Sequence, residues 1–95
     1  METESFESMN SVLIAYENVD EERLELLWAK IREYKVWAII TTSLWAIKTN
    51  ESALDVRNKL IEYIPEGGRL FVMDNTGHAA WNNIMCSGDW IKKYL

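Results

Sequence analysis

Apolar positions along this chain fall in short runs and in helical stripes, and the switch from one period to the other marks its elements. "SVLIAYE", residues 11–17, is a compact apolar run of strand length. In "NVDEERLELLWAKIREY", which follows, Leu24, Leu27, Trp28 and Ile31 stand at i, i+3, i+4 and i+7, one face of a helix running to about Glu33. Asn18 or Asp20 can cap that helix, and Glu21 and Glu22 suit the positive end of its dipole. "KVWAIITTSLWAIKT" carries Trp37-Ala38-Ile39 and Trp45-Ala46-Ile47 around Thr42 and Ser43. Two β-rich runs about a short polar break predict an antiparallel hairpin. Asn50 then caps a second predicted helix, "ESALDVRNKLIEYI", with Ala53, Val56, Leu60 and Ile64 as its inner stripe and Pro65, Gly67 and Gly68 as its stop. "RLFVMD", residues 69–74, is the last predicted strand.

Strand, helix, strand, strand, helix, strand is the order of the ferredoxin-like fold, an α+β arrangement with a four-stranded antiparallel sheet and both helices on one face. Antiparallel strands with one wet face alternate apolar and polar residues. These strands do not: Val12 to Tyr16, Val36 to Ile40, Leu44 to Ile47 and Leu70 to Met73 are apolar on both sides. Two helices cover one face, and a large apolar surface is rarely left in water. The second face therefore needs a cover, either another copy of the chain or the segment "GHAAWNNIMCSGDWIKKYL", residues 77–95. The expected layout is a flexible acidic leader over residues 1–9, a ferredoxin-like domain over 10–76, and a closing tail or short helix over 77–95 that packs on the sheet or at a dimer interface.

Composition narrows the classes. With 95 residues the chain buries a limited fraction of its surface, so it must pack densely or oligomerise. An apolar content of 48% with 26% charged residues excludes a disordered chain. The net charge of −5 argues against extended, sequence-independent nucleic-acid binding, and Lys35, Lys92 and Lys93 are too few for a basic stripe. Cys86 stands alone and cannot form an internal disulfide, which points to a reducing compartment and a small packed residue. "METESFESMN" lacks the charged start and apolar core of a signal peptide, and no apolar run approaches the roughly 20 residues of a membrane span. A cytoplasmic protein without a membrane partner is expected.

Several phrases carry a resemblance. The first strand ending "AYENVD", the hairpin "TTSLWAIKT", the helix "SALDVRNKLIEYI", the strand "GRLFVMD" and the closing "AAWNNIMCSGDWIKKYL" resemble the small SinR family proteins of bacteria and phages. That family is related to CRISPR-associated protein two and to virulence-associated protein D, and is distinct from the helix-turn-helix repressors of the same name. The resemblance spans about residues 10–95 and implies a ferredoxin-like homodimer joined through sheet faces, with the C-terminal segment lying across or along the partner's sheet. It also implies a setting in phage or bacterial defence or counter-defence. Under it, Trp81, Ile84 and Trp90, with Trp37 and Trp45, are packing or dimer anchors, in keeping with the enrichment of aromatics at interfaces.

The candidate chemistry follows from the same resemblance. In the CRISPR relatives a carboxylate at the end of the first strand meets its symmetry mate and holds a divalent metal for phosphodiester hydrolysis. Hard oxygen ligands suit magnesium or manganese, which can activate water. SinR-like sequences commonly have Tyr-Asp there, whereas this chain has Tyr16-Glu17, and the extra methylene loosens the geometry. The bland reading of Glu17 is an exposed acid beside a helix start. Asp20 and Asp74 are the acids that could join it, in no recognised metal spacing. His78 reads as a loop histidine, Ser43 as a turn residue and Gly67-Gly68 as a turn without the spacing of a phosphate loop. Three functions compete. The first is a noncatalytic dimeric interaction module with no cofactor, with a further protein partner left open. The second is a weak metal-dependent nuclease using Glu17 at the dimer axis. The third is a binder of a nucleotide or other small ligand in the dimer cleft.

Overall fold

In the computed structural model, which describes residues 9–95, the chain runs β1 (Asn10–Glu17), α1 (Glu21–Ile31), β2 (Val36–Thr41), β3 (Leu44–Thr49), α2 (Ala53–Leu60), β4 (Arg69–Asn75) and α3 (Gly88–Tyr94). The four strands form one antiparallel sheet in the order β2-β3-β1-β4, the ferredoxin-like arrangement with α1 and α2 on the same face. The leader expected over residues 1–9 lies, except for Met9, outside the described residues.

Caps set the helix boundaries. Asp20 begins α1: its carboxylate accepts the Arg23 backbone N–H and also pairs with the Arg23 guanidinium at 2.8 Å. Asn18 takes a different role, turning the chain at φ 59°, a left-handed conformation that asparagine tolerates. The second helix starts later than Asn50 would place it. Ser52 caps it, because Ser52 and Asp55 form a reciprocal capping box that satisfies two N-terminal donors at once. Its regular hydrogen bonding ends at Leu60, and Ile61–Tyr63 tighten into a single 3-10 turn before Pro65. The turn to β4 is closed by Gly68 N–H donating to the Pro65 carbonyl at 2.8 Å, and Gly67 supplies the positive φ of 85°.

The alternation of strand side chains sends Val12, Ile14, Tyr16, Trp45 and Ile47 toward the helices, where Leu27, Ile31, Val56 and Leu60 complete a fully enclosed core. The first expected stripe, Leu24, Leu27, Trp28 and Ile31, packs there; of the second, Val56 and Leu60 do so from α2 and Ile64 from beyond its end, while Ala53 is outside this layer. Tyr16 organises one end of this layer. Its hydroxyl accepts the indole N–H of Trp28 at 2.6 Å and of Trp45 at 2.9 Å, and donates to the Thr42 carbonyl at 3.0 Å. A phenol has one proton and two lone pairs, so its hydrogen-bonding capacity is used completely.

On the opposite face, the tail supplies part of the cover that the apolar strands demanded. After β4 the chain crosses the sheet to the outer edge of β2, where Met85 N–H donates to the Ile40 carbonyl at 2.9 Å. It then turns back into α3, capped by Ser87. Ile91 is buried against Ala46 and Ile40, with Leu13, Leu44, Ile84, Cys86, Trp90 and Leu95 packed around them. The Ser11 hydroxyl donates to the Tyr94 carbonyl at 2.7 Å and fixes the end of α3. Among the described residues, no helix is long and apolar enough to cross a membrane.

Candidate functional site

The tail shields the β2–β3 side of the second face and stops short of β4. Register places Phe71 opposite Ala15, Met73 opposite Leu13 and Arg69 opposite Glu17, all directed to that face. Phe71 is 63% exposed and Met73 43%, on an edge strand of the sheet. A hollow of about 420 Å³ opens beside them, lined by Ala15, Tyr16, Glu17, Ser43, Arg69 and Phe71 among others. The result is an apolar quadrant bounded at one end by charge.

Glu17 occupies that boundary. Because Tyr16 turns inward to the aromatic hub, its neighbour must turn outward, and the Glu17 carboxylate meets the Arg69 guanidinium at 2.7 Å. Both side chains are more than half exposed, so the pair fixes orientation more than it stabilises the fold. Asp20 does not join Glu17, being committed to the helix cap and Arg23; that same Arg23 contact holds its carboxyl below the usual carboxylate range. Asp74 lies at the far end of β4, opposite Val12. Among the described residues, no group of three or more histidines, cysteines, aspartates or glutamates could hold a metal ion. Within one chain Glu17 therefore offers a single carboxylate, with a guanidinium already beside it.

The other residues singled out by sequence fall into distinct places. Trp45 is in the core, with Trp28 stacked at 6.5 Å and Trp37 tilted against it at 5.4 Å between ring centroids. Trp37 remains partly exposed on edge strand β2. Ile84 and Trp90 belong to the tail and pack against Ile40, Ala46 and Ile91 within the same chain, and Trp90 contacts Tyr94 at 5.0 Å. Trp81 is half exposed; its indole lies over Gly88, where an added Cβ would come within 3.6 Å of its Nε1. Ser43 is exposed in the hairpin turn and its carbonyl accepts the Tyr16 N–H at 3.1 Å. His78 is exposed, while Cys86 is half-buried and burial pushes its thiol pKa up, away from thiolate chemistry.

Two features escaped the sequence reading. Arg69 as the partner of Glu17 needs the exact β1–β4 register, which lies 52 residues apart in the chain. The Tyr16 hub joins residues 12, 26 and 29 positions away. The available signal was weak: a tyrosine within an apolar strand needs a hydroxyl partner, and the nearby tryptophans need acceptors. Comparison with family models, curated proteins and solved structures finds no match for the chain.

Proposed function

We propose that this chain is a noncatalytic interaction module that works as a homodimer, with two copies meeting through the open quadrant of the second sheet face. The observation behind this reading is the exposed Phe71–Met73 pair on edge strand β4, beside a face whose β2–β3 side the tail partly covers. A stable interface removes roughly 800 Å² per partner from water. Phe71 and Met73 do not supply that area alone, so the contact extends over Ala15 and toward Trp81, which lines a hollow with Leu13. The rim is self-complementary, because a two-fold axis beside the Glu17–Arg69 pair brings each guanidinium toward the other copy's carboxylate. SinR-like kinship, with its setting in phage or bacterial defence, belongs to the same proposal and rests on the sequence phrases quoted above.

The nuclease alternative needs Glu17 to exchange Arg69 for a metal ion. Removing that guanidinium leaves one carboxylate per chain, so a second protein ligand would have to come from the partner copy, with water and substrate phosphate completing the magnesium shell. Sedimentation velocity at micromolar concentration tests the module reading: a dimer that Phe71→Glu converts to a folded monomer is expected. A native monomer, or a dimer indifferent to Phe71→Glu, contradicts it. In parallel, the protein with magnesium or manganese is expected to show no DNA or RNA cleavage that depends on Glu17. Cleavage abolished by Glu17→Gln restores the enzyme reading.

A further inference from the structure

Away from the open quadrant, on the helix-covered side near the β2 edge, a second hollow of about 320 Å³ is lined by Trp28, Arg32, Ile39, Thr42, Trp45 and Met85. Four separate pieces of chain build it: the last turn of α1, the middle of the β2–β3 hairpin, the hairpin turn, and the tail where it grips the outer edge of β2. We infer that this hollow is a binding site for a planar aromatic anion, with the ring between Trp28 and Met85 and the negative group against Arg32.

The walls determine the ring. Both indole N–H groups are spent on the Tyr16 hydroxyl, and the Thr42 carbonyl accepts the Tyr16 proton. These bonds lock the two tryptophans in orientation and consume the nearest polar atoms. What remains for a ligand is the open part of the Trp28 ring, the Ile39 side chain and the thioether of Met85, while Trp45 forms the buried floor. Thioethers and aromatic edges make favourable contacts with a planar ring. The volume falls at the lower end of small-molecule sites, about 300 to 1,000 Å³, which suits one fused bicycle rather than a nucleotide.

The charge determines the anion. Arg32 is the one ionisable residue in the lining, and among the described residues its guanidinium has no ion pair. It sits at the exposed C-cap of α1, four positions from Trp28, so it shares the helix side that forms the wall. A planar guanidinium beside aromatic faces is the usual means of holding a carboxylate in a fork. The polar hollow around Tyr34 makes the contrast. There Glu51 pairs with Lys59 and accepts the Tyr34 hydroxyl proton at 2.8 Å, while Lys30 meets Glu33 at 3.3 Å, so its charges are already matched.

The test uses 2-naphthoate as probe and the intact protein, followed by the indole N–H signals of Trp28 and Trp45 and the amide of Met85 in two-dimensional NMR. Saturable shifts confined to those signals are expected. Arg32→Ala should weaken binding roughly tenfold, the scale of one lost charge-assisted hydrogen bond. The uncharged isostere 2-naphthylmethanol should be weaker on the native protein by a similar factor. Shifts that fail to saturate, or that cluster at other residues, overturn the site. Equal binding of the acid and the alcohol overturns the anion assignment, and this comparison decides the matter even if Arg32→Ala does not fold.

Discussion

The two faces of this sheet are closed by different means. On one, two capped helices bury a continuous apolar layer and a three-bond phenol hub ties the aromatic end together. On the other, an extended strap and a seven-residue helix bury Ile91 and partly cover its neighbours, while Phe71 and Met73 stay exposed. A short helix has little stability of its own and holds its position through packing and the hydrogen bonds at Ile40 and Ser11. The difference separates two tasks: the helix-covered face fixes the fold, and the half-covered face leaves Phe71 and Met73 open, the surface that the proposed dimer would bury.

Removal of the tail should have the largest effect. Deleting residues 77–95 strips Ile84, Trp90, Ile91 and Leu95 from Leu13, Ile40, Leu44 and Ala46. Burial of each large side chain contributes about 1.5–3 kcal/mol, against a total margin of about 5–15 kcal/mol. The truncated chain should aggregate. A soluble dimer that melts cooperatively would mean the second face does not need its cover. Next, Trp45→Ala should cost about 3–5 kcal/mol by chemical denaturation. The same measurement on half-buried Trp90 should give a smaller loss, and the reverse order would upset the ranking of the two faces. Tyr16→Phe should cost about 1–3 kcal/mol, because the buried Trp45 N–H loses its acceptor. Phe71→Ser should change protomer stability by about 0.5 kcal/mol or less while abolishing association, since the side chain is exposed in a single chain.

The smallest expected effect is on pH dependence. Burial raises the Cys86 thiol pKa, and desolvation followed by the Glu51 hydrogen bond raises that of Tyr34. A group with a raised folded value contributes stability that is complete below its unfolded value and is lost as pH rises through the folded one. The melting temperature should therefore decline above the ordinary thiol range of about 8.5, and decline further above the phenol range of about 10. Cys86→Ala should flatten the first part of the decline, and an unchanged profile would remove Cys86 as its source.

Local chemistry made much of the fold readable. The stripe from Leu24 to Ile31 and the apolar runs around Val12, Ile39, Ala46 and Val72 needed only period and length to be assigned. The demand for a second cover was readable too, because apolar residues at successive strand positions cannot all face two helices. What sequence left open was the choice between tail and partner copy, since the Met85–Ile40 bond depends on the path of an irregular segment. Asn50 and Ser52 show the limit at finer scale. Both are good caps by type, and the reciprocal bond with Asp55 selects the serine. At the candidate site, Glu17 could be placed at a strand end but its guanidinium partner could not, because a one-residue shift of register would put Arg69 on the other face.

The strap has a kinetic corollary. Its anchors join positions far apart in the chain, Ser11 with Tyr94 and Ile40 with Met85, so they form only after every strand has been made. Contacts of such long range close slowly. A folding chain whose strands pair before the strap docks carries Leu13, Leu44 and Ala46 unshielded, the kind of exposed apolar surface that makes incompletely folded chains stick to one another. In refolding from denaturant, the chain cut after residue 76 should accordingly be a better chaperone client than the intact protein.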